Sequence, residues 1–347
     1  MQKKIIALAV AGLMSGAAFA QSNVTVFGVM DVGYNRTSGS LTDANTRNAI
    51  DAGNQSGSRV GFRGTEDLGG GLKASFQYVL NVNSGVVQSD ASGTREANLA
   101  LSGGFGTVLA GYVFTPQFNL LTAVDPFANG TVGALSGTSG IYAIGTQGGN
   151  TNRLQNIVAY VTPKFSGFTL LAAYSFNGTA DEVARDAGNN KVWALNPTYS
   201  NGPIFAGLNI HEVKNDSTNA KNSVWDMAGS YNFGAVKLGG AYGQTKLNTA
   251  KEKQWMLGVT VPVGSGNVLA SYSQNKFDTG NAKLNKWALG YTHSLSKRTN
   301  LYAAYADVDG NAAGEARIGT PTSLVNMGGV VADRYSTGLN LGVRHMF

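Results

Sequence analysis

The chain has 347 residues, of which 43% are hydrophobic and 13% are charged, with 47 glycines, 7 prolines and no cysteine. The charged fraction is about half of the roughly 25% usual in a soluble domain, while the apolar fraction is ordinary. A disulfide scaffold and a cysteine-ligated metal site are excluded. A helical membrane protein is excluded beyond the extreme N-terminus, since no later stretch holds the roughly 20 apolar residues that a spanning helix needs. The formal charge of +6 is spread among scattered acids and bases, so nucleic acid is not an expected partner.

Residues 1–20 are typical of a Sec signal peptide. Lys3 and Lys4 precede an apolar run of about ten residues, and Ala18-Phe19-Ala20 forms an A-x-A cleavage site. The run is too short for an uncleaved spanning anchor. Cleavage leaves 24 basic and 20 acidic residues, a formal charge of +4. No linker or change in composition divides residues 21–347, so they are predicted to form one exported unit.

From residue 23 onward, apolar and polar residues alternate with a period of two, which predicts β-strands. The final segment alternates most regularly, with Leu339, Leu341 and Val343 on one face and Asn340 and Arg344 on the other. Sixteen such segments of about ten residues, the length of a tilted strand crossing a bilayer, are predicted to begin near Val24, Arg59, Leu72, Arg95, Thr107, Arg153, Phe168, Val192, Ile204, Val224, Val236, Lys253, Val268, Lys286, Asn300 and Arg334.

The connections between these segments alternate between short and long. Tight turns rich in Gly, Asn and Pro are predicted at 67–70, 103–106, 200–203, 263–266 and 295–299. Long polar loops are predicted at 35–56, 115–152 and 308–332. Short turns at one end and long loops at the other are typical of outer-membrane barrels.

A soluble β-sandwich or propeller would also alternate, but its inward face would be apolar. Here the second face carries Gly, Ser, Asn, Lys and Arg, which cannot form a dry interior because a buried charge without a partner is too costly. That face must be wet, and the apolar face must meet lipid. The sequence therefore predicts an all-β fold, a transmembrane antiparallel β-barrel of about 16 strands with an aqueous interior.

Five segments that span the mature chain, 24–31, 58–69, 101–108, 123–127 and 342–347, resemble the trimeric, sixteen-stranded general porins of the β-proteobacterial outer membrane. The resemblance implies a homotrimer surrounded by outer-membrane lipid and lipopolysaccharide. It also implies a third loop folded inward as a constriction, and a terminal Phe347 read by the barrel-assembly machinery.

The interval 115–152 is the longest without a predicted strand, as expected for that third loop. The resemblance implies that arginines line the wall opposite, and the matching positions are Arg59, Arg95 and Arg153. Alternation places Arg59 and Arg153 on the wet face. Arg95 shares the phase of the apolar Leu99, so it must lie at a strand end or beyond a bulge. Members of the family often carry Leu-Gly-Arg where this chain has Ala110-Gly111-Tyr112, so one wall charge is expected to be missing.

Asp125 is either an acidic counterweight to these arginines or a turn residue before Pro126. Further pore-wall charges are expected at Arg63, Lys73 and Arg334. Because arginine stays protonated, the predicted function is passive diffusion of small hydrophilic solutes with weak to moderate anion preference. No cofactor or metal is expected.

Two alternatives are carried forward. The first is a channel specific for phosphate or dicarboxylates on the same barrel. The second is a barrel hydrolase, for which His211 with Glu212 and Asp216 is the only plausible set of catalytic residues.

Overall fold

The computed structural model describes residues 23–38, 46–82, 93–135, 152–178, 190–247, 250–311 and 336–347. The predicted signal peptide and Arg334 lie outside them. Within these ranges, no helix is both long and apolar enough to cross a membrane. The elements are β1 (Asn23–Ser38), β2 (Arg47–Ala52), β3 (Arg59–Gly69), β4 (Leu72–Asn81), β5 (Thr94–Gly103), β6 (Gly106–Phe114), α1 (Pro116–Thr122), β7 (Arg153–Val161), β8 (Phe168–Ser175), β9 (Asn190–Asn201), β10 (Ile204–Asn215), β11 (Lys221–Asn232), β12 (Lys237–Leu247), β13 (Ala250–Val263), β14 (Gly266–Phe277), a 3-10 turn (Thr279–Asn281), β15 (Lys283–Ser294), β16 (Thr299–Gly310) and β17 (Thr337–Met346).

The strands form one antiparallel sheet that closes between β1 and β17. β1 pairs with β3 through its first half and with β2 through its second half, so β2 and β3 together occupy one of sixteen positions around the barrel. The predicted fold class, the sixteen strand positions and the tight turns are confirmed. The predicted loop 35–56 was wrong in part, since it contains the end of β1 and all of β2.

Side chains alternate between the outside and the inside of the barrel. On β11, Trp225 and Met227 point outward, while Val224, Asp226 and Ala228 point inward and are buried. Outward side chains such as Leu257 stay 63% exposed in the isolated chain.

Many outward aromatic residues lie near the strand ends, as in the girdles of membrane barrels. Six of them form three diagonal cross-strand pairs: Trp225–Tyr242, Trp255–Tyr272 and Trp287–Tyr305.

The last residue completes the barrel seam. Phe347 exchanges two backbone hydrogen bonds with Gly28 of β1, at 3.0 and 3.2 Å. Its ring lies over Gly28, where a Cβ atom would collide with it. Glycine at position 28 therefore lets the terminal ring lie flat against the first strand.

The wall is interrupted between β2 and β3, where residues 53–58 leave the ladder. Asp31 of β1 faces this gap. The Ser58 hydroxyl takes the place of the missing peptide group: it accepts from the Asp31 N–H at 3.0 Å and donates to the Asp31 carbonyl at 3.1 Å. Ser58 is only 4% exposed. The Asp31 carbonyl also accepts from the Gly53 N–H at 2.8 Å, so the Ser58 hydroxyl matters most as the acceptor of the Asp31 N–H. An unpaired group at membrane depth would be costly.

We expect Ser58→Ala to lower the free energy of unfolding by about 2 kcal/mol, because the Asp31 N–H loses its acceptor. Urea unfolding in detergent, followed by the shift of the folded band on unheated gels, measures the change. Ser271→Ala is the matched control, since no described residue hydrogen-bonds its hydroxyl. Equal stability of the two variants would contradict the bridging role of Ser58.

Candidate functional site

After β6 the chain turns into the barrel. Thr115 caps α1 by accepting the Phe118 N–H at 3.1 Å, and Pro116 occupies the first turn, where its missing N–H costs nothing. The rings of Phe114 and Phe118 stack with centroids 4.5 Å apart. These contacts set the direction in which the segment 115–135, called the inward loop below, leaves the strand.

The inward loop packs on the inner wall through two apolar clusters. Leu120, Leu121, Val124 and Leu135 pack with inward-facing residues of β11–β13, namely Ala228, Ala241 and Met256. Phe127 and Val132 pack with inward-facing residues of β14–β16, namely Leu269, Ala288, Ala304 and Ala306. The loop therefore packs on six neighbouring strands, β11–β16, from the inside.

Small wall residues make room for the loop. A Cβ atom at Gly239 would collide with the Val124 carbonyl, and one at Gly258 with the Pro126 ring. A Cβ atom at Gly290 would press on the Phe127 ring. These glycines let the loop lie close to the wall rather than across the middle of the channel.

Polar contacts hold the backbone of the loop. Lys286 donates to the Ala134 carbonyl at 2.7 Å, and Lys237 donates to the Ala123 carbonyl at 3.0 Å. The Asn340 side chain on β17 accepts the Val132 N–H at 2.6 Å. Ammonium groups and an amide thus bind loop backbone that would otherwise need water.

Asp125 is a turn residue and not a charge on the pore surface. It is 6% exposed, and its carboxylate accepts the N–H groups of Phe127, Asn129 and Leu135 at 2.8 to 3.0 Å. Burial raises the pKa of the Asp125 carboxyl, which the three hydrogen bonds and the charge of Lys286 partly offset. The expectation of an acidic counterweight at this position is corrected accordingly.

The three predicted arginines lie together on the arc of wall that the inward loop leaves open. Arg95 is close enough to both Arg59 and Arg153 for their charges to interact, and Arg59 interacts likewise with Arg344 of β17. The guanidinium of Arg153 lies 4.2 Å from the centroid of the Phe114 ring, and that of Arg95 lies 5.8 Å from it. Stacking on an aromatic face holds a guanidinium in place without neutralising it.

Two bulges interrupt the strands that carry Arg95 and Arg153. The register between β4 and β5 shifts by one residue at Arg95. This is the bulge that was expected because Arg95 shares the sequence phase of the apolar Leu99. The register between β6 and β7 also shifts, beside Asn156, whose φ is 51°. Because counting from Val158 and Tyr160 back to Arg153 crosses this second bulge, simple alternation does not establish which face Arg153 occupies.

One acid and one phenol accompany the arginines. Glu96 interacts with the charges of Arg59, Arg95 and Arg153, and it accepts from Gln77 at 3.1 Å. Tyr112 stands where related chains often carry arginine, and its side chain hydrogen-bonds Arg153. Alternation in the sequence did not mark Glu96, although its place directly after Arg95 was a usable signal.

The segment 53–58 lies between the arginines and the inward loop. On one side the Gly57 carbonyl accepts from Arg59 at 2.8 Å, and the Ser56 hydroxyl accepts from Arg344 at 2.8 Å. On the other side the Asn54 carbonyl accepts from the backbone N–H of Thr131 in the inward loop. This segment therefore couples the position of the loop to that of the guanidinium groups.

The carboxylate of Asp31 anchors this segment. It accepts the N–H groups of Gln55 and Ser56, both at 2.6 Å, and the hydroxyl of Tyr302 at 2.7 Å. Asp31 is fully buried. Bonds to an ionised acceptor are the stronger kind, so the segment is held firmly.

The remaining predicted residues lie apart from this arc or outside the described ranges. Arg63 and Lys73 are exposed near the short-turn end, and Arg63 lies over the Phe27 ring at 5.0 Å. His211 is buried beside Asn209, whereas Glu212 pairs with Lys221 and Asp216 with Lys191. The structure does not bring the three hydrolase candidates together.

Comparisons with known proteins agree with this architecture. A family model described as Gram-negative porin matches residues 7–313. The chain belongs to the Gram-negative porin family. It is 36% identical over 365 residues to outer membrane porin protein 32 of Delftia acidovorans and 32% identical over 408 residues to an outer membrane porin protein of Bordetella pertussis, each match covering both chains completely.

Solved structures resemble the porin along most of its length. An anion-selective porin from Comamonas acidovorans superposes with a TM-score of 0.78 at 31% identity, covering 94% of this chain and all of the other. The Salmonella typhi OmpF complex with daunomycin gives a TM-score of 0.72 at 14% identity, covering 94% and 98% of the two chains, and shows the fold alone. The protein is an outer-membrane diffusion porin, and its family consists of channels rather than enzymes.

We expect Tyr302→Phe to loosen the segment 53–58, because one of three hydrogen bonds to the Asp31 carboxylate is lost. Losing a hydrogen bond to a charged group costs about 1.5 kcal/mol, which changes the equilibrium between the anchored and the loosened segment by a factor of about ten. Single-channel records should show a second conductance level visited about ten times more often than in the wild type. Tyr305→Phe, on the outward face of the same strand, is the control, and identical records from both variants would refute the anchoring role.

Proposed function

We propose that the porin prefers anions, and that Arg59, Arg95 and Arg153, with Arg344, form its selectivity surface. The observation that carries this proposal is the run of interacting guanidinium groups on the arc opposite the inward loop. Arginine stays charged in a partly desolvated passage, so the run attracts anions and repels cations. The anion-selective porin named above supports the same assignment by analogy.

The preference is expected to be moderate rather than absolute. Glu96 lies among the arginines and cancels part of their charge, and Tyr112 contributes a hydroxyl instead of a further guanidinium. Arg63 and Lys73 add positive charge nearer the periplasmic end, where the exposed surface is better screened by salt. Small hydrophilic anions are therefore the favoured solutes of a channel that still passes others.

A channel specific for phosphate or dicarboxylates is the second candidate. It is favoured by the closeness of Arg59 and Arg344, since two neighbouring guanidinium groups can bind the two ends of a dianion. Conductance that saturates with the concentration of such an anion would support it. Conductance that rises linearly favours general diffusion.

The porin is further proposed to act as a homotrimer in contact with lipopolysaccharide and outer-membrane lipid, and to be assembled through its last strand. The exposed Phe347 ring at the periplasmic end, fixed to Gly28 by two hydrogen bonds, is the feature proposed for recognition by the barrel-assembly machinery. Closing of the channel in three equal steps in a planar bilayer would support the trimer.

We expect Arg95→Ala to lower the chloride-to-potassium permeability ratio by a factor of about six, because a unit charge about 8 Å away in a watery medium changes the energy of each ion by about 0.5 kcal/mol, in opposite directions for chloride and potassium. Glu96→Gln should raise the ratio by a similar factor. Reversal potentials in a salt gradient across a planar bilayer measure both changes.

Arg298→Ala serves as the control, since this arginine lies in an exposed short turn. It removes the same formal charge as Arg95→Ala. A cation-preferring wild type, or equal effects of Arg298→Ala and Arg95→Ala, would overturn the assignment of the selectivity surface.

A further inference from the structure

Eight lysines share the outward face at the long-loop ends of β9–β15. Each is in phase with outward side chains of its own strand: Lys191 with Trp193, and Lys276 with Tyr272. We call this set the lysine belt, and its members are Lys191, Lys214, Lys221, Lys246, Lys251, Lys253, Lys276 and Lys283.

The register places like charges directly opposite one another. Lys214 stands opposite both Lys191 and Lys221 on the two neighbouring strands. Lys276 likewise stands opposite both Lys253 and Lys283, and Lys246 stands opposite Lys251. Like charges in directly opposed positions destabilise a sheet. The arrangement therefore favours a counter-charge supplied from outside the sheet.

The chain itself supplies little of that counter-charge. Lys191 pairs with Asp216 at 2.8 Å, and Lys221 lies 3.5 Å from Glu212. The other six lysines form no ion pair within the part of the chain that the structure describes. The belt thus carries a net positive charge that is continuous across seven strands.

The belt lies immediately beside an aromatic girdle. Trp193 follows Lys191 by two residues, and Trp255 follows Lys253 by two, on the same outward faces. Outward tryptophans mark the level of lipid headgroups, so the ammonium groups reach the headgroup layer of the extracellular leaflet. Lysine stems lie along apolar surface and place their charge at such a boundary.

We propose that the lysine belt is a binding surface for phosphorylated lipid headgroups of the extracellular leaflet. The ammonium groups bind phosphate oxygens, and the girdle below them packs against the acyl chains. This deepens the lipopolysaccharide contact proposed above and does not depend on ion selectivity. A lipid fits better than an acidic protein because the charged rows and the membrane-facing aromatics are continuous on one face.

All four tryptophans of the chain, Trp193, Trp225, Trp255 and Trp287, lie on the outward faces of belt strands, so intrinsic fluorescence reports on this surface. Folded porin in neutral detergent is titrated with diphosphorylated lipid A, with the same lipid lacking phosphates, and with inorganic phosphate. We expect saturable binding of the phosphorylated lipid only.

The test variant carries Lys253→Gln, Lys276→Gln and Lys283→Gln. We expect its affinity for the phosphorylated lipid to fall about fivefold for each lysine, or about a hundredfold in total. The control variant carries Lys164→Gln, Lys297→Gln and Arg298→Gln, which remove the same charge at the short-turn end. The control should bind lipid like the wild type.

Equal affinities of the test and control variants would overturn the proposal. Equal binding of the lipid without phosphates would overturn it as well, since the ammonium groups would then be irrelevant. Competition by inorganic phosphate at similar concentrations would indicate a free-anion site instead. Reversal potentials are recorded for the same variants, so a failure of the anion-preference assignment is seen separately from a failure of lipid binding.

Discussion

A backbone N–H or C=O group that faces hydrocarbon has no water to bind, and leaving it unpaired costs several kcal/mol. The strands therefore have to close into a barrel, and the two most exacting places are the seam and the break in the ladder. At the seam the last residue, Phe347, pairs with Gly28. At the break the Ser58 hydroxyl replaces a peptide group of the ladder. The need to pair every backbone group also explains the period-two pattern, the tight turns and the absence of a free sheet edge in the described barrel.

Closure with sixteen strands leaves an interior too wide for side chains to fill. The inward loop solves this problem with ordinary core packing, since Leu121, Val124 and Phe127 are almost fully buried against the inner wall. The inner face of β11–β16 is accordingly small and apolar where the loop lies. The opposite arc has no such cover among the described residues, and the four arginines lie there. The division of the interior into a packed half and a wet half produces the passage.

The sequence predicted what local alternation and turn chemistry encode: the strand positions, the short turns, the long third loop and the wet face at Arg59. It could not predict features set by distant contacts. β2 lies in a polar stretch whose apolar residues alternate only weakly, so its pairing with β1 could not be read from the sequence. The bulge at Asn156 shifts the phase without changing composition. The burial of Asp125 depends on Lys286, more than 150 residues away along the chain, and on a turn that ends at Leu135.

The formal charge of the chain says little about function until the charges are located. Arg59, Arg95, Arg153 and Arg344 lie inside, where a planar guanidinium such as that of Arg153 can stack on Phe114 and remain charged in a narrow passage. Most lysines lie outside at the membrane boundary, where a compact, strongly hydrated ammonium on a long stem can follow lipid headgroups. The inward Lys286 has a third role, as a donor to a loop carbonyl. The barrel wall separates the two positive surfaces, so each can meet its own class of anion without competing for the other.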